Sequence, residues 1–124
     1  GAVAIIGAHP HVPQPWEKYT TTDGREGLIL YSLGNFVSNQ GAINKKTSLM
    51  LFLGLTKQDG RTWVNGVRYL PLYMNRFPHK VVASNALKSP NSQQRASLKV
   101  LRKMYGDERM VNPGEDVLTN AECH

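Results

Sequence analysis

The sequence predicts a mixed α/β fold, mostly antiparallel β with one late helix. Three observations carry this reading: short apolar and β-branched stretches bounded by turn signals, an Asp59-Gly60 pair between two of them, and a single capped amphipathic segment late in the chain. The 124 residues suit one globular domain, and 11 Gly with 7 Pro make it rich in turns. Hydrophobic residues at 40% and charged residues at 19% exclude a coiled coil, a collagen and a disordered acidic chain.

Residues 2–7 read as a short buried strand that runs into Gly7. The stretch Ala8 to Pro15 holds three prolines, which remove backbone donors and predict an irregular, extended loop. Asp23-Gly24 marks a turn within 20–27, and Leu28 to Leu33 reads as a second strand stopped by Gly34-Asn35. Thr47 to Thr56 is a third, whose nearly continuous apolar run predicts burial on both faces. Asp59-Gly60 supplies the positive-φ turn of a hairpin. From Thr62 to about Tyr73 a fourth strand follows, and Asn65-Gly66 and Pro71 predict that it breaks into two or lies at an edge with a bulge.

The helix is expected at about 92–105, with Asn91 as cap, Gln94 as its capping-box partner and Gly106 as its stop. Leu98, Leu101 and Tyr105 fall on one face, and Arg95, Lys99 and Arg102 on another. Residues 107–124 show no period and are expected to be loose. The domain reading is a sheet portion, 1–75, followed by loop, basic helix and tail, 76–124. One helix covers only part of a four-stranded sheet, so the packing is expected to be incomplete. The chain opens in mid-strand with no charged segment before it, and the expectation is that it belongs to a longer polypeptide. Its longest nearly unbroken apolar run, Leu49 to Leu55, falls far short of the about 20 residues a membrane helix needs.

Lys and Arg outnumber Asp and Glu by 15 to 9, a formal charge of +6 that favours anionic partners. The basic stripe of the helix lies opposite an apolar one, as a solvated face does, and aromatic interleaving is absent, so nucleic acid is not expected as a partner. The single Cys123 forms no internal disulfide, and with His124 it makes no spaced ligand set. His79, between Pro78 and Lys80, reads as a surface histidine. Ser32 and Ser38 lack a neighbouring base in sequence, and phosphate-loop and nucleophile-elbow motifs are absent.

The sharpest chemical feature is His9-Pro10-His11 at the end of an apolar strand. Histidines at i and i+2 of an extended chain project to the same side, where two imidazoles can meet a metal ion. Three or four ligands are usual, so the same pair also reads as two solvent-facing loop histidines. Glu17 is near enough in sequence to orient one of them. The other acids lie in turns or after the helix and read as solvated carboxylates.

Two blocks together resemble a known family. Gly7-Ala8-His9-Pro10-His11-Val12 with Gln14, Pro15 and Glu17, and then Leu30-Tyr31-Ser32-Leu33-Gly34-Asn35-Phe36-Val37 with Gln40, are similar to the CapA family of poly-γ-glutamate capsule biosynthesis proteins. That family is built on the calcineurin-like metallophosphoesterase fold. The resemblance covers residues 1 to about 41, and is one of pattern only from there to about Tyr73.

It implies that the chain is the C-terminal part of a four-layer α/β/β/α sandwich. It also implies that His9 and His11 are metal ligands, one to each of two divalent ions (Mn, Fe or Zn), with Asn35 and Glu17 as possible supports. The superfamily's DxH, GDxxD and GNH blocks are absent. Gly34-Asn35-Phe36 and Gly106 to Met110 match two of these only superficially. The bridging carboxylates would then come from an N-terminal part of the same domain, and this chain alone would be inactive.

Two functions follow from the resemblance. One is a metal-dependent phosphoesterase-like hydrolase. The other is a non-catalytic component of capsule polymer assembly or export that binds a polyanion. Either implies an anionic polymer or phosphoester as partner, a bacterial envelope or extracellular location, and membrane association only through segments outside this chain.

Overall fold

The computed structural model describes residues 1–117; Cys123 and His124 lie outside the described residues. The described part is mixed α/β: six strands in two three-stranded sheets and one α-helix. Strands β1 (Ala4–Ile6), β2 (Pro13–Thr20) and β3 (Glu26–Leu33) form the first sheet in the order β1-β3-β2. Strands β4 (Thr47–Gln58), β5 (Arg61–Asn75) and β6 (Lys80–Ala83) form the second in the order β4-β5-β6. Every pairing is antiparallel except β1 with β3, which runs parallel in the register Ala4 with Leu28 to Ile6 with Leu30. An all-antiparallel four-stranded sheet is thus corrected in both strand count and direction.

The proline-rich loop is corrected as well, because Pro13 and Pro15 lie inside β2. That strand lies at the sheet edge and pairs only with β3, a setting where prolines are tolerated, and Pro15 drops out of the paired register. A second correction concerns Pro71, which sits in the longest and central strand, β5, rather than at a break or an edge. Tyr69 N–H donates to Arg109 O (2.9 Å) and Tyr69 O accepts from Val111 N–H (2.8 Å), on the side of β5 away from β4. Backbone groups alternate sides along a strand, so the missing N–H two residues on falls on that same side. It lies just past the end of β6, whose last residue, Ala83, pairs with Leu72, and the ladder with β4 is intact. The expected bulge is real: the register shifts at Gly54/Leu55 and skips Asn65.

The hairpin turns at Asp59 (φ 50°) and Gly60 (φ 74°), as the Asp-Gly pair requires. Burial of β4 on both faces holds only for Thr47 to Leu49, and Met50 onward is partly or largely exposed. Helix α1 (Ser92–Tyr105) begins with the full reciprocal box, Asn91 Oδ1 accepting from Gln94 N (2.9 Å) and Gln94 Oε1 from Asn91 N (2.8 Å). Leu101 and Tyr105 are buried, and Arg95, Lys99 and Arg102 are exposed.

The core joins both sheets to the helix through Leu30, Leu49, Tyr69, Leu101 and Tyr105, with Trp16 packed against them. Tyr105 Oη donates to Gln14 O (2.6 Å), and Tyr69 Oη donates to Gly106 O (3.0 Å). Burial pushes the Tyr69 phenol up to about 12, with the Asp107 carboxylate acting in the same direction. Residues 107–117 are not loose, which corrects another expectation. Met110 bridges to Tyr69, Val111 is buried, and the Arg68 guanidinium clasps both the Glu115 carboxylate and Met110 O (3.0 Å).

Helix α1 packs on β2 and β5, away from the edge strands β1 and β4. A groove of about 530 Å³ lies beside those edges, lined by Ile6, Leu33, Phe36, Met50, Leu51 and Leu53 among others.

Candidate metal centre

Strand β1 delivers the histidine loop. Gly7 N–H donates to Leu30 O (2.6 Å), extending the parallel pairing one residue past the strand. A Cβ at Gly7 would lie 2.2 Å from Tyr31 O, so only glycine lets the two backbones come this close. Beyond it, His9 (φ 102°) and His11 (φ 63°) both take positive φ. Side-chain-bearing residues rarely adopt that conformation, and it costs about 1–3 kcal/mol per residue where the surrounding structure imposes it.

The expected extended geometry is therefore corrected. A bend, rather than strand alternation, brings the imidazoles together. Their ring centroids are 6.4 Å apart, with the planes tilted by 39°. Both histidines are exposed.

The second block frames this loop. Gly34 (φ 78°) ends β3 in a left-handed turn, and a Cβ there would lie 2.7 Å from Thr47 O. The turn sends Asn35 toward the histidines. His11 Nδ1 and Asn35 Oδ1 are 2.8 Å apart, and Asn35 Nδ2 donates to Lys45 O (3.0 Å). Lys45 belongs to a 3₁₀ turn, Ile43–Lys46, that leads into β4. The 34–46 loop is thus tied to the histidine loop through one amide.

Glu17 stands on β2 beside β3, and its Oε1 accepts from Tyr31 Oη (2.7 Å). That hydrogen bond raises the Tyr31 phenol above its ordinary value. Alternation along the sheet could have paired Glu17 with Tyr31, had residues 13–20 been recognised as a strand. The Lys45 carbonyl carries no side-chain signal and was beyond sequence reading. His79 is exposed, its ring 6.0 Å from that of Phe77.

Imidazole donors suit zinc or iron, whereas manganese favours oxygen donors. Among the described residues no group of three or more His, Cys, Asp or Glu is placed to hold a metal ion. His9 and His11 fit as part of a ligand set and do not complete one.

Residues 1–40, which contain both histidines and Asn35, match the family described as bacterial capsule synthesis protein PGA_cap. The chain is 45% identical over 51 residues to the capsule biosynthesis protein CapA of Bacillus anthracis, covering 41% of this chain and 11% of that protein. It is 44% identical over 57 residues to the PGA biosynthesis protein CapA of Bacillus subtilis (strain 168), covering 46% and 14% respectively. Over residues 1–40 the chain is thus similar to bacterial capsule synthesis proteins.

The chain thus spans a small part of the length of these CapA relatives. No solved structure matches it. No helix among the described residues is long and apolar enough to cross a membrane.

Proposed function

We propose that the chain is part of a CapA-like capsule biosynthesis protein, and that His9 and His11 are ligands in a metallophosphoesterase-type two-metal site. The carrying observation is the pairing of two histidines in costly positive-φ backbone at a strand end, inside the segment that matches the family. The remaining ligands, carboxylates among them, come in this reading from another part of the same domain, which also completes a four-layer α/β/β/α sandwich. The apolar groove beside β1 and β4, with Phe36 and Met50 exposed along it, supports a further layer of protein there.

His9 and His11 would help to hold divalent cations, which would supply positive charge toward a phosphoryl oxyanion and lower the pKa of a water molecule. The chain's own part is to hold two imidazoles at the mouth of the sheet and to lend a net +6 that gathers anions. The relatives' names, which speak of capsule and PGA biosynthesis, support a role in capsule synthesis and with it the bacterial envelope.

That positive charge favours a second reading, a component that binds the polyanion without cleaving it. The two readings separate in one comparison on the longest natural polypeptide containing this segment. Hydrolysis of a generic phosphoester, abolished in His9→Ala/His11→Ala, is the expected result. Retention of poly-γ-glutamate with no hydrolysis, indifferent to both substitutions, would favour the second reading.

A further inference from the structure

The bonds around Asn35 fix more than the shape of its loop. A backbone carbonyl can only accept, so the contact with Lys45 O identifies Nδ2 as the amide atom on that side. The atom facing His11 Nδ1 is then Oδ1, which can also only accept. His11 Nδ1 must therefore carry a proton, and in the neutral ring the lone pair sits on Nε2.

We propose that Asn35 is a positioning residue: braced on the Lys45 carbonyl, it locks His11 as the Nδ1–H tautomer and leaves Nε2 as its one donor atom for a metal. Its functional meaning rests on the metal-ligand reading above. A ligating histidine needs its second nitrogen satisfied by an acceptor that sets tautomer and ring orientation. A side-chain amide held by its own other end supplies that acceptor without adding charge. The contact crosses 24 residues of sequence and joins the two blocks that match the family.

The test uses the longest natural polypeptide containing the chain, with ¹⁵N-labelled histidine rings, at a pH where imidazole is neutral. His11 is assigned by loss of its signals in His11→Gln. In the unsubstituted protein Nδ1 should show the protonated, pyrrole-type shift and Nε2 the pyridine-type shift. Asn35→Asp keeps an acceptor against His11 and should retain this pattern. Asn35→Ala removes it, and the ring should move toward the Nε2–H form while an unchanged urea-unfolding midpoint reports an intact fold.

Zinc binding, measured on the same proteins, should weaken about 10–100-fold in Asn35→Ala and be largely restored in Asn35→Asp. An Nε2–H ring in the unsubstituted protein, or an Nδ1–H ring that survives Asn35→Ala, would overturn the lock. A shifted tautomer with unchanged zinc affinity would overturn its positioning role. The Nδ1–H ring in a protein that takes up no zinc would support the lock and refute the metal-ligand reading.

Discussion

Gly7 shows how a single missing side chain positions the histidine pair. Its N–H bonds Leu30 O, and any Cβ would stand 2.2 Å from Tyr31 O, a backbone atom that cannot swing aside. Gly7→Ala must push the β1 end off β3, and it should destabilise the fold by about 1–3 kcal/mol, as overpacking generally does. Urea unfolding would check this, with an unchanged midpoint as the contrary result. At this scale the sequence offered residue types and spacing: His9, His11 and Asn35 were all visible as chemistry. What it hid was conformation. The positive φ at both histidines and the His11–Asn35 contact depend on how residues 24 apart meet in space, which no local pattern encodes.

Among the elements, α1 was the most legible because its start and stop are local chemistry. The Asn91–Gln94 box and Gly106 lie within one helix and its borders. Asn91→Ala should cost about 0.5–2 kcal/mol, read as a lowered unfolding temperature. No loss of stability would mean that tertiary packing alone sets this end. The Asp59-Gly60 hairpin was legible for the same reason.

Prolines misled the reading twice, in opposite settings. In β2 they lie on an edge strand with a single partner, and in β5 Pro71 turns its nitrogen to the side where β6 has already ended. A proline's cost depends on which side of a strand needs a donor, and that is a property of the sheet. Residues 107–117 escaped notice because they are held by Tyr69 and Arg68 rather than by any period of their own.

For the whole molecule, two small sheets share a core with one helix and leave an apolar groove beside β1 and β4. The mostly antiparallel character with one late helix was readable from strand, turn and helix-cap signals. The division into two sheets was not, since the parallel β1–β3 pair joins strands far apart in sequence. The histidine loop sits at the end of β1, the strand whose Ile6 lines the groove.

The most direct test is elemental analysis of the longest natural polypeptide containing this segment, alongside its His9→Ala/His11→Ala variant. The account predicts two transition-metal ions per chain, as in the two-metal sites it invokes, and their loss from the variant. A protein that takes up no metal after incubation with manganese, zinc or iron would contradict it.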